Sequence, residues 1–171
     1  GIDVDAHLGH IGPELELMNY GAYGYHTEKE FQSQVSWKGA LEAFAEGYHF
    51  PFVHGESLIG QNTLPNTGVY DEFGKHHRIG FPFTWVTNLA EDPSASWDPH
   101  QNMGVVYWIY PNLILANSPI GVEIIDILPA GVAAVAVGLV LVCYPLHPPK
   151  KPQNLRVDHF GSIHVPCLFV S

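Results

Sequence analysis

His49 and His54, five residues apart, are the residues of this sequence best suited to chemistry. Between them, Pro51 cannot continue a helix, and Phe50 before it is driven toward an extended conformation. A helix that ends at about His49 would then be followed by a return of the chain that brings His54 back beside it. Two imidazoles on one face of an ion, with one carboxylate, are typical of non-haem Fe(II) sites that use O2. The spacing predicts a metal site, and chance pairing among the eleven histidines is the alternative.

The residues before His49 predict the helix that would position it. Apolar residues recur there at steps of three and four, the pattern of a helix with one buried face. These residues are Trp37, Ala40, Leu41, Phe44 and Tyr48. Ser36 is suited to cap the helix, because its hydroxyl can accept a hydrogen bond from a free backbone N–H. Glu42, Glu46 and His49 share a second stripe. Glu46, one turn before His49, is better placed to hydrogen-bond an imidazole than to bind the same ion.

The segment from Ser36 to His54 resembles the mononuclear-iron signature of the Rieske-type ring-hydroxylating oxygenases, in the catalytic domain of their large (alpha) subunit. That signature reads roughly W-K-x-x-x-E-x-F-x-[E/D]-x-Y-H-x-x-x-x-H. Its fixed positions are matched by Trp37, Lys38, Glu42, Phe44, Glu46, Tyr48, His49 and His54. V-Y-D-E-F-G-K-H-H-R-I-G-F-P from Val69 and Y-W-I-Y-P-N-L-I-L from Tyr107 are also similar to that family, so the resemblance covers about residues 2–129.

The resemblance implies an α+β fold of the helix-grip type, incomplete in this chain, in which an antiparallel sheet with helices packed on one side encloses an apolar pocket. Phe81 and Phe83 would reach that pocket. His49 and His54 would bind Fe(II). Glu46 would take the place of the acidic residue that bridges a neighbouring subunit's Rieske-ligand histidine to the iron site. Many members of the family have Asp there, and Glu reaches one methylene further.

The same resemblance implies an oxidoreductase activity. Electrons from NAD(P)H would pass through a reductase, and sometimes a ferredoxin, to a Rieske [2Fe–2S] cluster and then to the mononuclear iron. Oxygen from O2 would enter an aromatic or related small-molecule substrate, by monooxygenation or dioxygenation. The full-length parent would assemble as a homotrimer or an α3β3 complex.

Two expected parts of such an enzyme have no counterpart in the sequence. A Rieske cluster needs paired C-x-H and C-x-x-H motifs, and Cys143 and Cys167 lie in neither. The family's third iron ligand is an aspartate far downstream, in a C-terminal helix. The aspartates that follow His54, none of them in that context, are Asp71, Asp92, Asp98, Asp126 and Asp158. We therefore interpret residues 1–171 as a partial mononuclear-iron catalytic domain, an internal fragment that is inactive alone.

Composition excludes other classes of function. A net charge of −10 without a basic patch argues against a nucleic-acid-binding surface. A length of 171 residues suits one domain with a core of its own. Two distant cysteines give no disulfide framework, and no signal peptide is evident, so we expect a cytoplasmic protein.

The segments around the predicted helix yield no convincing further ligands. His7 and His10 are expected at the surface of a segment that leads into the sheet. Residues 25–35 are predicted to form a short strand or a pair of turns. Residues 55–68, rich in Gly, Asn, Thr and Pro, are predicted to form a loop.

The second half of the chain is predicted to be mainly strands. His76 and His77 are adjacent, so on a strand they would point to opposite faces, at a solvated strand end. Asp98 and His100 flank Pro99 in what we interpret as a loop. From Met103, aromatic and β-branched runs separated by N-S-P-I-G predict a hairpin in an antiparallel sheet.

Residues 127–146 form an uncharged stretch of twenty residues, long enough to span a membrane. Pro129 and Gly131 interrupt it, which favours a strand, a turn at 129–131 and a second strand. Because the sequence after about 130 is atypical of the resembled family, one hypothesis is that it is out of frame or otherwise non-native. Reading the coding DNA in the other frames tests this, and the absence of a family-like continuation there would contradict it.

Three alternatives to the oxygenase remain at this point. A non-catalytic helix-grip module would keep the pocket and bind a small molecule without iron. A membrane-anchored fragment would use residues 127–146 as a span. A mononuclear metal hydrolase would need a third protein ligand that the sequence does not identify.

Overall fold

One seven-stranded antiparallel sheet, with strand order β1-β7-β6-β5-β4-β3-β2, organises the computed structural model. The structure describes residues 1–89, 91–92, 98–119, 121–129 and 136–145. The helices are α1 (Val4–Leu8), α2 (Gly12–Leu17), α3 (Trp37–Ala43), α4 (Phe50–Val53), α5 (Leu58–Asn62), α6 (Val86–Leu89) and α7 (Pro99–Asn102), with short 3-10 turns at Gly9–Ile11 and Tyr20–Ala22. The strands are β1 (Tyr23–Ser33), β2 (Val69–Phe73), β3 (His76–Pro82), β4 (Met103–Ile109), β5 (Leu113–Ser118), β6 (Gly121–Pro129) and β7 (Ala136–Pro145). The predicted α+β class is confirmed.

The centre of the sheet is a meander of β4, β5 and β6. Val106 pairs with Ala116, which pairs in turn with Glu123. The predicted hairpin is therefore present and extends into a third strand. β-branched and aromatic side chains dominate these strands because they pack well on a pleated, buried surface.

Both faces of the sheet are covered, because adjacent residues of β4 such as Val105 and Val106 are both buried. The first face packs against α3 and α4; the buried core between them consists of Ala40, Leu41 and Phe50 of the helices and Ile79, Phe81, Val106, Ile114, Ile125 and Ile127 of the sheet. The second face packs against the N-terminal helical segment; the buried core between them consists of Ile11 of that segment and Val105, Tyr107, Ile109 and Leu115 of the sheet. The sequence had predicted helices on one side only. The difference arises from residues 4–17, which are helical rather than a segment that leads directly into the sheet.

A network of hydrogen bonds connects α2 to the second face of the sheet. The Arg78 guanidinium donates to both carboxylate oxygens of Glu14, at 2.5 and 2.6 Å, and also to Asp71. The hydroxyl of the fully buried Tyr107 donates to Glu14 at 2.6 Å. Charge-assisted hydrogen bonds of this kind are among the stronger polar contacts in proteins. They compensate for the shortness of α2, which could not be stable alone.

His76 departs from its predicted place at a solvated strand end. Its side chain is buried, and its Nε2 donates to the carbonyl of His7 at 2.8 Å while its Nδ1 accepts from the backbone N–H of Tyr110 at 3.1 Å. His77 lies on the opposite face, as predicted, and stacks on Trp108 with ring centroids 4.8 Å apart. The prediction failed for His76 because its partners are brought to it by the N-terminal helices and by the turn after β4.

Two other segments differ from their predictions. β1 has 11 residues and is longer than the short strand that was predicted for residues 25–35. Within residues 55–68, predicted as a loop, α5 forms one helical turn that Ser57 caps. Pro99 likewise begins the one-turn helix α7 instead of standing in a loop.

The uncharged stretch at 127–146 forms two strands where it is described. β6 ends at Pro129 and β7 begins at Ala136, and the two strands pair antiparallel. The predicted strand–turn–strand is therefore present, and most of its turn lies outside the described residues. Among the described residues, no helix is long and apolar enough to cross a membrane.

Candidate metal centre

α3 carries the chain toward the candidate site and ends earlier than predicted. The Ser36 hydroxyl caps it by accepting from the N–H of Gly39 at 3.0 Å. The helix ends at Ala43 rather than at about His49. After the helix the chain passes closely over the sheet: a Cβ at Gly47 would lie 2.5 Å from a ring carbon of Phe81. Only glycine permits this approach.

Pro51 was predicted to end a helix, and in the structure it lies at the beginning of another, α4. It lies in the first turn of α4, where its missing N–H is not needed. His49 precedes this turn, and its carbonyl accepts from the N–H of Val53 at 2.8 Å. His54 follows the turn, and its N–H donates to the carbonyl of Phe50 at 3.0 Å. The two histidines therefore flank a single helical turn, which brings their side chains together.

The imidazole rings of His49 and His54 lie next to each other, with centroids 5.1 Å apart and planes at 67°. When two imidazole nitrogens bind one ion at about 2.1 Å and at roughly a right or tetrahedral angle, their ring centroids are roughly 4.5 to 5.2 Å apart. The observed separation falls in that range. Two imidazoles bound to one ion would have their ring centroids at this separation.

Glu46 determines which nitrogen of His49 is available. Its Oε1 lies 2.5 Å from His49 Nδ1, and its Oε2 accepts from the backbone N–H of Tyr48 at 2.9 Å. Because a carboxylate only accepts, Nδ1 of a neutral His49 carries the hydrogen in this bond. The lone pair of Nε2 is then free for a metal. This carboxylate–histidine arrangement is how proteins commonly orient a metal-binding imidazole.

His54 lies in an apolar environment. Its residue is 6% exposed, and Phe50 packs beside both histidine rings, 4.9 Å from His49 and 6.0 Å from His54 between centroids. Burial lowers the pKa of His54, and the neighbouring His49 lowers it further. The neutral imidazole that results is the form that binds metals.

A third ligand does not join the pair in the part of the chain that the structure describes: no group of three His, Cys, Asp or Glu there could hold an ion. Asp71 is engaged by Arg78, and Asp126 accepts a hydrogen bond from Asn112. The carbonyl of Asp98 accepts the first hydrogen bonds of α7. Asp158 lies outside the described residues.

Of the remaining candidates of the sequence analysis, Phe81 is next to the pair's neighbour Phe50, and the others have different contacts. His7 contacts His76 on the second face, and His10 is exposed. Phe81 is buried and packs against Phe50 with centroids 4.8 Å apart. Phe83 is also buried, but it stacks on Trp85.

Three residues of the site escaped the sequence analysis: Phe50, Ser57 and Gly60. The sequence predicts an extended backbone at Phe50 because Pro51 follows, whereas the structure has Phe50 as the first residue of α4, with its ring beside both histidines. Ser57 and Gly60 contact the backbone of His54, as described below. A serine three residues before a glycine is a weak signal for a capped turn, and nothing in the sequence connects that turn to His54.

Comparison with known proteins identifies the family. A family model described as the ring hydroxylating alpha subunit (catalytic domain) matches residues 20–155, a span that includes β7 and continues past residue 131. A search of the curated proteins finds no match.

Several solved structures of the quaternary ammonium Rieske monooxygenase CntA share the fold. Its complex with the inhibitor MMV12 (MMV020670) aligns with a TM-score of 0.66 at 11% identity, and its complex with L-carnitine with 0.64 at 10%. Its complex with gamma-butyrobetaine aligns with 0.60 at 12%. Each alignment covers 90% of this chain and 38% or 39% of the CntA chain. The chain thus spans less than two fifths of these relatives, and at such identities the likeness concerns the fold alone.

The family match covers most of the sequence, including the signature around the histidine pair, and the fold agrees with it. This chain therefore belongs to the ring-hydroxylating oxygenase alpha-subunit family, as part of its catalytic domain.

Proposed function

We propose that this chain is the mononuclear-iron part of an oxygenase catalytic domain, with His49 and His54 as two of the iron ligands. The observation that carries the proposal is the 5.1 Å separation of their ring centroids, with Glu46 holding Nδ1 of His49 so that Nε2 is free. Fe(II) bound there would supply the centre at which O2 reacts with an aromatic or related substrate.

Each residue of the site has a separate task in this proposal. His49 presents Nε2, and His54 presents a neutral imidazole from an apolar environment. Phe50 packs beside both rings and excludes water from that side. A carboxylate from outside the described residues completes the ligand set, because two imidazoles and one carboxylate leave positions open for O2.

Glu46 has a second task in the proposal. Its side chain is 31% exposed although it is bonded to His49, so a neighbouring subunit can reach it. We assign to it the bridging place through which electrons arrive from a Rieske cluster of a neighbouring subunit, supplied in turn by NAD(P)H through a reductase or ferredoxin. A solved CntA structure is described as giving insights into inter-subunit electron transfer, which supports the same route in a trimeric parent here.

Metal titration tests the ligand assignment. The chain is titrated without oxygen with Co(II), a spectroscopic substitute for Fe(II), and its histidine ring signals are followed by NMR. We expect one ion to shift the signals of His49 and His54, and either H49A or H54A to weaken binding at least about 100-fold, since even loss of an outer hydrogen-bond partner costs 10- to 100-fold. H10A, which removes an exposed histidine away from the pair, is the control.

The rival function predicts a different outcome. A non-catalytic module would bind an aromatic probe with no metal and would be insensitive to H49A and H54A. Retention of a stoichiometric ion by either variant, or the absence of any metal-dependent shift in the unaltered chain, contradicts the iron assignment.

A further inference from the structure

His54 is held through its backbone at both ends. Its N–H donates to the carbonyl of Phe50 at 3.0 Å. Its own carbonyl accepts two hydrogen bonds from Ser57, one from the backbone N–H at 2.8 Å and one from the hydroxyl at 2.7 Å. Because both peptide groups of His54 are held, its φ of −110° and ψ of 16° are fixed. The fixed backbone sets the direction of the Cα–Cβ bond of His54, and therefore the position of the Cβ atom that carries the imidazole.

The Ser57 hydroxyl links His54 to α5. It donates to the His54 carbonyl and also accepts from the N–H of Gly60 at 3.3 Å, as the N-cap of that helix. One hydroxyl can do both, because it carries one donor and two acceptor lone pairs. Alanine could do neither, whereas threonine retains the hydroxyl.

At Gly60 the backbone of α5 lies directly against the same carbonyl group of His54. A Cβ at Gly60 would lie 1.9 Å from the oxygen of His54 and 2.5 Å from its carbonyl carbon. Contacts this short involve backbone atoms that cannot rotate away. Gly60 lies inside a helix, where alanine is normally preferred to glycine, so the His54 contact is what requires the missing side chain.

We propose that Ser57 and Gly60 are positioning residues that aim the imidazole of His54 at His49. The proposal rests on the proposed function, in which both imidazoles bind one ion. A binding site must hold its groups to within about 0.5 Å, so a shift of the His54 backbone would separate the pair. The serine and the glycine act on one carbonyl from two sides and prevent that shift.

The test compares Co(II) affinity in S57A, S57T and G60A. S36A is a matched control, because Ser36 caps α3 by the same bond to a glycine N–H but does not contact His54. G21A is the glycine control, because a Cβ there would meet nothing within 4 Å. We expect S57A to weaken Co(II) binding at least about 10-fold and G60A to weaken it further, the range found for residues that orient metal ligands. S57T should bind nearly as the unaltered chain, and both controls should be unchanged.

A second measurement separates failure of this proposal from failure of the proposed function. The nuclear Overhauser effect between the ring protons of His49 and His54 reports their contact without any metal. If the unaltered chain binds no Co(II), the iron assignment fails, and the loss of this effect in S57A still decides the positioning role. Folded S57A and G60A that bind Co(II) and keep the ring contact would overturn the proposal. If G60A does not fold, the S57A and S57T pair decides.

Discussion

Glu46 and His49 are joined by a hydrogen bond of 2.5 Å between Oε1 and Nδ1, three residues apart and just beyond the end of α3. This bond orients the His49 side chain, while the backbone carbonyl of His49 accepts from the N–H of Val53 at 2.8 Å. α3 ends at Ala43, and His49 lies beyond it. In the segment between them, the Glu46 carboxylate accepts from the backbone N–H of Tyr48 as well as contacting the His49 ring, so one carboxylate links the backbone to the imidazole.

Removing the Glu46 carboxylate should weaken metal binding without unfolding the chain. E46A leaves the His49 ring free to rotate and to carry its hydrogen on either nitrogen, so we expect Co(II) affinity to fall about 10- to 100-fold. E46Q retains an accepting oxygen and should lose less. E42A, which removes an exposed carboxylate from the helix before it, is the control. An E46A variant that binds Co(II) as tightly as E42A would contradict this role.

A side chain at residue 47 should destabilise the domain. The Cβ of G47A would lie 2.5 Å from Phe81, a buried ring with little room to move, and we expect a loss of about 1–3 kcal/mol in the free energy of unfolding. Urea denaturation measures this loss, with G21A as the control. In an F81L background, where the ring is replaced by a smaller side chain, the same G47A change should cost less. Because F81L has a cost of its own, the comparison uses F81L alone as well: if G47A costs as much in the F81L background as in the unaltered chain, the Phe81 contact is not the cause.

Replacing Phe50 should destabilise the domain far more than replacing Phe52, although both residues lie in the same helical turn. Phe50 is 9% exposed and packs beside both histidines and Phe81, whereas Phe52 is 86% exposed. We expect F50A to cost about 3 kcal/mol of unfolding free energy. F52A should change it by less than about 0.5 kcal/mol. Equal losses would mean that α4 does not pack against the sheet as described.

The stability of the domain should depend on the protonation of Glu123. This residue lies on β6, on the face of the sheet that α3 covers, and burial raises the pKa of its carboxyl above the usual value of 4.5. The folded chain therefore binds this proton more tightly than the unfolded chain. As pH rises from 4.5 through the pKa of the folded state, Glu123 ionises in a buried place and the free energy of unfolding falls. Above the folded-state pKa this loss of stability no longer changes with pH.

E123Q should remove that dependence. We expect the variant to be more stable than the unaltered chain at pH 7, by about 1.4 kcal/mol for each unit of pKa shift, and equally stable at pH 4. Thermal unfolding across this pH range measures both effects. E72Q, an exposed glutamate of β2, is the control. A difference in stability between E123Q and the unaltered chain that does not change with pH would refute the prediction.

Local patterns predicted the central hairpin and the histidine pair. The runs in 103–129 are β-branched and aromatic with turn residues between them, and His49 and His54 are close enough in sequence for one helical turn to bring them together. Both features depend on neighbours along the chain. The hairpin and the proximity of the two histidines could therefore be predicted without knowledge of the rest of the fold.

Long-range contacts account for what the sequence did not predict. Gly47 passes closely over Phe81 of a distant strand, and the buried His76 donates to the His7 carbonyl, 69 residues away. The N-terminal helices have only 5 and 6 residues, too few for a clear periodic signal, and Ile11 is buried only because the sheet is there.

The strand order has a consequence for the order of folding during synthesis. β1 lies at the edge of the sheet beside β7, with a register that runs from Tyr23 opposite Pro145 to Ser33 opposite Ala136. An 11-residue strand therefore leaves the ribosome more than a hundred residues before its partner. Pairings between such distant segments form late and slowly, so the nascent chain exposes unpaired backbone groups of β1 to other chains until β7 emerges.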